Sequence, residues 1–131
     1  MALFRIFPNK DAFITSEKPT SNTGLDEILE VGNYRVGGTN YKSRALLSFS
    51  DEDLGRVRSL SLGNDLTSNL KLFVANAESI PTSYTLESYP LLGSWDNGTG
   101  RYNSVPTVTD GISWETRVGF DTGSLSGSVS Y

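Results

Sequence analysis

Residues 94–117, SWDNGTGRYNSVPTVTDGISWETR, hold both tryptophans of the chain around a polar loop that is punctuated by glycine. No histidine or cysteine accompanies them, because the chain contains neither residue type. Such a loop keeps its shape only where the strands that flank it pack on a core. The stretch therefore indicates a structural segment with an exposed loop and not a catalytic site. The rest of the chain has to supply the core on which it packs.

The end of this stretch begins the longest alternating pattern of the chain. Its two sets of residues are Ile112, Trp114, Thr116, Val118 and Phe120 on one side and Ser113, Glu115, Arg117 and Gly119 on the other. Alternation with a period of two predicts a half-buried strand, so Trp114 is expected in the core. Trp95 precedes the loop and allows two interpretations, a core residue or a platform for the apolar face of a sugar ring.

Shorter apolar or alternating runs, separated by turn residues, extend the strand pattern over the chain. The predicted strands are residues 3–7, 12–15, 28–31, 45–49, 60–62, 70–74, 84–89 and 112–120. Turns are predicted at residues 8–9, 22–24, 37–40, 63–65 and 110–111. About eight short strands predict an all-β fold, an antiparallel β-sandwich of the jelly-roll type, in which each sheet covers the apolar face of the other.

Only residues 50–57 indicate helix, of one or two turns. Ser50 is suited to cap the free amides, and Asp53 stands at the third position of a capping box. Asp51, Glu52 and Asp53 could hold calcium, but they lack the spacing of an EF-hand loop. Favourable charge at a helix N-terminus is the better interpretation of this cluster.

The length of 131 residues predicts one domain. We expect residues 1–121 to form the sandwich, and residues 122–131, TGSLSGSVSY, to form a linker or an arm that becomes ordered against a neighbour. The N-terminal apolar patch is too short and too interrupted for a signal peptide, and no run approaches the ~18 apolar residues of a membrane span. Neither export nor a membrane partner is expected.

Composition excludes several classes of function. Eleven basic and fifteen acidic side chains give a net charge of −4, which argues against a nucleic-acid partner. The lack of cysteine and histidine removes disulfides, thiolate nucleophiles, most zinc sites and the commonest general base. We therefore expect a non-enzyme without a metal or cofactor. A small hydrolase that uses a pair of carboxylates is the remaining enzymatic alternative.

Candidate contact residues for a glycan or a protein partner lie in and near the polar loops, where tyrosines, Tyr34 among them, can anchor a partner. The candidates are Tyr41, Trp95, Asp96, Arg101 and Tyr102. Residues 98–101, GTGR, lack the Lys and Ser or Thr that follow in a Walker motif. We therefore expect them to form a turn that brings Arg101 toward a sheet edge.

Taken in order, several motifs resemble the DNRLRE-type jelly-roll domains, relatives of carbohydrate-binding modules that occur in bacterial surface proteins and in tailed-phage virion proteins. The motifs are DAFIT at 11–15, SNTG at 21–24, ILEVG at 28–32, RALLSF at 44–49, SWDNGTGR at 94–101 and PTVTDGISWETR at 106–117. The resemblance covers residues 4–118 and implies a virion component such as a tail, fibre, collar or capsid-decoration subunit. Its implied partners are copies of itself and other virion proteins, with a host surface glycan as a further partner.

Domains of this family continue for several strands after the second tryptophan. Either a neighbouring subunit completes the sandwich or the sequence is a fragment of a longer protein, and in both cases we expect an unpaired sheet edge, which is a template for association. Residues and resemblance together predict a non-enzymatic bacteriophage structural protein, located in the virion, that assembles through sheet edges and loops. The alternative is a carbohydrate-binding module that adheres to a cell-surface glycan.

Overall fold

The computed structural model of the chain describes residues 3–60, 67–75 and 85–117. Within these ranges the elements are, in chain order, β1 (Lys10–Thr15), β2 (Gly32–Val36), β3 (Thr39–Ser48) and α1 (Asp51–Leu60). The three strands form one antiparallel sheet in the order β1-β3-β2. β3 is therefore the central strand of this sheet, and β1 and β2 are its edges.

β2 and β3 form a hairpin whose two-residue turn is Gly37 and Gly38. Both glycines have positive φ, 57° and 89°. A type I′ turn requires positive φ at both central residues, and its twist matches that of the flanking strands. The turn pairs Val36 with Thr39 and so sets the register of the whole hairpin.

The sheet has two faces with different compositions. Residues directly opposite each other in an antiparallel pair point to the same face. The pairing of Ala12 with Leu46 and of Ile14 with Arg44 defines one face, which we call the core face. The other face carries Phe13 opposite Ala45 and Tyr34 opposite Tyr41, and we call it the tyrosine face.

The stretch that contains both tryptophans, residues 94–117, covers the core face. Ala12 and Ile14 of β1 pack with Trp95 and Ile112 in one buried apolar cluster, against which Leu46, Leu91 and Trp114 pack. The stretch is irregular, and it is held by backbone hydrogen bonds from Asp96 to the carbonyl of Arg117 (3.1 Å) and from Ile112 to the carbonyl of Asp96 (2.8 Å). We call residues 94–117 the tryptophan segment.

The side chain of Asn22 connects the loop around residues 22–24 to the tryptophan segment. Asn22 is fully buried. Its Nδ2 donates to the carbonyls of Asn97 (2.7 Å) and Ile112 (2.9 Å), and its Oδ1 accepts from the backbone N–H groups of Gly24 (3.2 Å) and Gly100 (2.7 Å). Both donors and both acceptor positions of the amide are thus used.

Glycines surround Asn22 because larger residues would collide with it. A Cβ at Gly98, Gly100 or Gly111 would stand 2.5 Å from an atom of Asn22. The sequence indicates these glycines only as turn residues. The structure gives them a second role, since the tryptophan segment can approach the buried amide only where no side chain intervenes.

α1 begins after Ser50, whose Oγ accepts a hydrogen bond from the backbone N–H of Asp53 (3.3 Å). The predicted cap is confirmed. Asp51, Glu52 and Asp53 fill the first turn and Arg58 the last, so both ends carry the charge that the helix dipole favours. The helix is longer than the one or two turns expected, with ten residues.

The predicted β-sandwich of about eight strands is wrong for the described residues, which form one open three-stranded sheet and one helix. The predicted strand 12–15 lies in β1, and 45–49 overlaps the end of β3. Residues 3–7, 28–31, 70–74, 85–89 and 112–117 form no strand. Leu60 ends α1 instead of starting a strand. Residues 61–62, 84, 118–120 and the predicted arm 122–131 lie outside the described residues.

Two physical reasons account for the false strands. At residues 70–74 the apolar side chains meet no second layer, since Leu70, Leu72 and Val74 are exposed. At residues 112–117 the alternation fails, because Ile112 and Ser113 are both fully buried. The hydroxyl of Ser113 accepts from the N–H groups of Glu115 (3.2 Å) and Thr116 (3.1 Å), which closes a local turn that competes with a strand.

We expect Asn22→Ala to lower the free energy of unfolding by more than about 3 kcal/mol, because each buried polar group left without a partner costs ~1–3 kcal/mol. Urea unfolding followed by circular dichroism measures the change. Asn9→Ala is the matched control, since Asn9 is exposed, and a surface substitution should change stability by less than about 0.5 kcal/mol. Similar losses in the two variants would contradict the role assigned to Asn22.

Candidate binding site

Three tyrosines gather on the tyrosine face, all of them half-buried. Tyr34 of β2 is paired with Tyr41 of β3, and their ring centroids lie 5.8 Å apart. Tyr102 comes from the tryptophan segment, and its ring centroid lies 6.0 Å from that of Phe13. Two parts of the chain that are distant in sequence therefore contribute rings to one surface.

Glu17 joins these rings through its carboxylate. Oε2 of Glu17 accepts hydrogen bonds from the hydroxyls of Tyr34 (2.8 Å) and Tyr102 (2.6 Å). The Tyr34 hydroxyl also lies 3.1 Å from Oγ1 of Thr15. One carboxylate oxygen thus connects the end of β1, the strand β2 and the tryptophan segment. We call Glu17, Tyr34, Tyr41 and Tyr102 the tyrosine–glutamate cluster.

Within the cluster, the pKa of the carboxylate and the pKa values of two phenols are shifted in opposite directions. The hydrogen bond from Tyr102, followed by that from Tyr34, lowers the pKa of Glu17 below its ordinary value. Burial, with a further contribution from the bond to Glu17, raises the pKa of Tyr102, and burial also raises the pKa of Tyr34. At neutral pH the carboxylate is therefore ionised and both phenols keep their protons.

Lys18 completes the surroundings of Tyr102. Its Nζ lies 3.8 Å from the centroid of the Tyr102 ring and donates to the Tyr102 carbonyl at 2.8 Å. A cation over the ring face stabilises this placement. A second carboxylate on the same face, that of Glu30, accepts from Oγ of Ser43 at 2.5 Å.

The cluster is suited to recognition more than to proton transfer. A general acid for glycoside hydrolysis needs a carboxyl whose pKa is raised, whereas that of Glu17 is lowered. Half-buried rings can contact the apolar faces of a ligand, and carboxylate and hydroxyl groups beside them can bind its polar edges. The arrangement therefore favours a binding surface.

Of the five predicted contact residues, Tyr41 and Tyr102 belong to the tyrosine face. Tyr34 links them, since its ring lies 5.8 Å from that of Tyr41 and its hydroxyl shares the Glu17 carboxylate with Tyr102. Trp95 lies on the opposite, core face and is only 6% exposed. Nζ of Lys10 stands 5.8 Å from the Trp95 ring centroid and donates to the Trp95 carbonyl at 2.9 Å. Of the two interpretations of Trp95, the structure supports the core residue, and we leave Trp95 out of the candidate binding surface.

Asp96 and Arg101 are exposed on the tryptophan segment. Nη1 of Arg101 lies 3.9 Å from Oε1 of Glu27, in an ion pair open to solvent. Exposed pairs of this kind contribute ~1 kcal/mol or less. Residues 98–101 contain a bend and not the expected turn; the turn follows them, with Ser104 N–H bonded to the Arg101 carbonyl at 2.9 Å. Arg101 lies beside Glu27 in the loop that follows Asn22 and not at a sheet edge.

Glu17 was missed in the sequence, and Tyr34 was noted as a possible anchor for a partner but left out of the five candidates. A glycine pair flanked by NYRV and TNYK is a hairpin signal, and its register would have placed Tyr34 opposite Tyr41. Glu17 has no comparable signal, because its two phenol partners come from residues 34 and 102. Only the folded chain identifies it.

Comparisons with protein-family models, with curated proteins and with solved structures find no match to this chain. Within residues 3–60, 67–75 and 85–117, no group of three or more acidic side chains is placed to hold a metal ion. The helix in these ranges is too short and too polar to cross a membrane. Function is therefore argued from the surfaces described above.

Acidification should remove the contribution of Glu17 to stability. Because the pKa of Glu17 is lowered in the folded chain from its ordinary 4.5, this contribution is fully present above that value and is lost as the pH falls through the folded pKa. We therefore expect the stability difference between wild type and Glu17→Gln to shrink between about pH 5 and about pH 3. Urea unfolding at a series of pH values measures it.

Glu115→Gln is the control for the loss of one negative charge, since Glu115 is exposed. A constant difference between wild type and Glu17→Gln over the whole pH range would mean that the two phenol bonds do not depend on the charge of Glu17.

Proposed function

We propose that the chain is a non-enzymatic structural protein of a bacteriophage virion, in which it assembles with copies of itself through the free edge of its sheet. The observation that carries the proposal is that β2 is an edge strand without a strand partner on its outer side among the described residues. The resemblance of six motifs to domains of tailed-phage virion proteins supports a bacteriophage virion as the particle.

The pairing shows which groups of β2 point outward. Lys42 of β3 turns its backbone toward β1, where its carbonyl accepts from the N–H of Ser16 (3.0 Å) and its N–H donates to Oγ of Ser16 (3.0 Å). Asn33 lies opposite Lys42, so its N–H and C=O turn away from β3, as do those of Arg35 two residues on. These are the groups that an added strand would bind.

At the other edge of the sheet, the outward backbone groups of Phe13 are bound by a side chain of the same protein. The N–H of Phe13 in β1 donates to Oγ1 of Thr23 at 3.1 Å, and the Thr23 hydroxyl donates to the carbonyl of Phe13. An edge satisfied by a side chain is a poor template for pairing, whereas an open edge invites it. Because the outward groups of β2 are open and those of Phe13 in β1 are bound, we expect copies of the chain to associate through β2.

Exposed apolar side chains further support association. Val105 and Phe73 are 95% and 93% exposed, and Leu3, Phe7 and Leu92 are exposed to a similar degree. Contact with other subunits would remove such surface from water, which stabilises an assembly by about 25 cal/mol per Å² of apolar area.

Asn33→Pro should weaken self-association. Proline removes the outward N–H of residue 33 without removing a bond to β3, so the sheet should survive while its edge loses a donor. Sedimentation velocity over a range of concentrations should show fewer oligomers than in wild type. Asn33→Ala, which keeps the N–H, is the matched control. A wild type that stays monomeric at every concentration, or equal behaviour of the two variants, would refute assembly through β2.

A second candidate function is carbohydrate binding, because the structure places Tyr41 and Tyr102 on one face. The hydroxyls of Tyr34 and Tyr102 there lie beside the carboxylate of Glu17. Rings suit the apolar faces of sugars, and the polar groups suit their hydroxyls. This candidate would make the protein an adhesion module for a cell-surface glycan.

Tyr41→Ala tests this candidate most directly, because Tyr41 is half-buried and contacts Tyr34 on the tyrosine face. We expect loss of glycan binding on an array of neutral oligosaccharides. Tyr89→Ala, at an exposed tyrosine outside the cluster, should bind as wild type does. Absence of binding by wild type, or unchanged binding by Tyr41→Ala, would exclude the tyrosine face as the glycan site.

A further inference from the structure

We propose that the peptide bond between Asn97 and Gly98 is a self-modification site, which the folded chain protects and which reacts once the tryptophan segment opens. Asn97 is the only asparagine of the chain that is followed by glycine. The reaction replaces the Asn97 amide by a carboxylate and thereby makes the opening irreversible. The site requires neither assembly through β2 nor binding at the tyrosine face.

The chemistry follows from the two residue types. The backbone nitrogen of Gly98, on losing its proton, attacks Cγ of Asn97. The N–Cγ bond forms, the Cγ–Nδ2 bond breaks, and ammonia leaves with the proton. Water then opens the cyclic imide: addition at Cγ gives aspartate, and addition at the backbone carbonyl carbon gives isoaspartate, whose main chain runs through the former side chain. Glycine favours the attack, because no Cβ hinders its nitrogen.

In the folded chain, hydrogen bonds hold both amide groups of Asn97. Its backbone carbonyl accepts from Nδ2 of Asn22 (2.7 Å), and its own Nδ2 donates to the carbonyl of Gly24 (2.7 Å). Oδ1 of Asn97 is buried and has no hydrogen-bond donor among the described residues. Attack at Cγ would place negative charge on this oxygen, and a buried charge without a partner is costly. The folded environment therefore opposes the reaction.

Opening of the tryptophan segment removes this protection. When the segment leaves Asn22, water reaches Oδ1 of Asn97, and the side chain is free to turn toward the Gly98 nitrogen. Loss of the amide is slow compared with local opening of a protein, so its rate follows the fraction of molecules that are open. The state of Asn97 therefore records how long the segment has been released.

Neither product fits the place that the amide occupied. Aspartate lacks the Nδ2 donor, so a carboxylate oxygen would face the carbonyl of Gly24 in a buried position. Isoaspartate adds an atom to the main chain where the backbones already touch, since a Cβ at Gly111 would stand 2.5 Å from Cα of Gly98. A modified segment therefore cannot return to the core face, nor place Tyr102 on the tyrosine face.

The neighbouring peptide bond between Asp110 and Gly111 could cyclise in the same way, but only from a protonated carboxyl. Oδ2 of Asp110 accepts from the hydroxyl of Thr99 (2.6 Å), and Oδ1 accepts from the Thr99 N–H (2.9 Å). These bonds lower the pKa of Asp110, and an ionised carboxylate resists attack by a nitrogen. Asn97 is therefore the reactive position of the two at neutral pH.

The first experiment incubates the wild-type chain at mildly alkaline pH in native buffer and in urea, and measures conversion of each asparagine by mass spectrometry of its peptides. Conversion of Asn97 should be at least about tenfold faster in urea, because the open fraction limits the rate in native buffer. Asn103 is the internal control, since it is exposed in the folded chain and should convert at similar rates in both solutions. Equal conversion of Asn97 in the two solutions, relative to Asn103, would overturn the proposal.

Two pairs of variants test the protection and the irreversibility separately. Asn22→Ala should accelerate conversion of Asn97 in native buffer, whereas Asn9→Ala, at an exposed position, should not. Asn97→Asp, which is one of the products, should lower the urea midpoint of unfolding by about 1 M. Asn103→Asp adds the same charge and should leave the midpoint nearly unchanged. A wild-type conversion rate in Asn22→Ala, or equal midpoints of the two aspartate variants, would contradict the proposal.

Discussion

The buried amide of Asn22 is the constraint on which the rest of the structure depends. The sheet is too small to bury its core face by itself, and the layer that covers it is irregular chain without a ladder of its own. Irregular chain must find partners for its backbone groups, and Asn22 supplies three of them to the tryptophan segment, at Asn97, Gly100 and Ile112. With the tryptophan segment held there, Trp95 and Ile112 reach Ala12 and Ile14 and close the core.

The same attachment organises the opposite face. Tyr102 belongs to the tryptophan segment, and its backbone N–H donates to Asp26 at 2.8 Å, shortly after Asn22 in the chain. Its ring can therefore meet Phe13 and its hydroxyl can meet Glu17 only while that segment stays in place. Core and binding surface are thus built from one long-range connection, and a change that loosens the segment affects both.

Sequence predicted the features that depend on neighbouring residues. The strand 12–15, the turn at Gly37 and Gly38 and the cap at Ser50 each follow from local preferences, and the structure has all three. The sandwich was wrong because alternation alone cannot show whether a second layer exists, and Ser113 satisfies its local backbone in a turn. Glu17 could not be found, since its role depends on partners that are distant in the chain.

The two edges of the sheet are not equivalent, and this limits the number of subunits that the proposed contact could join. Thr23 binds the outward backbone groups of Phe13 in β1, which favours the β2 edge as the place where a strand would be added. A subunit with a single adhesive margin pairs with a like margin about a two-fold axis, and the product has no adhesive margin left. If the proposed contact forms, growth through it would stop at a closed dimer of six strands, and fibre-like polymerisation would need a different contact.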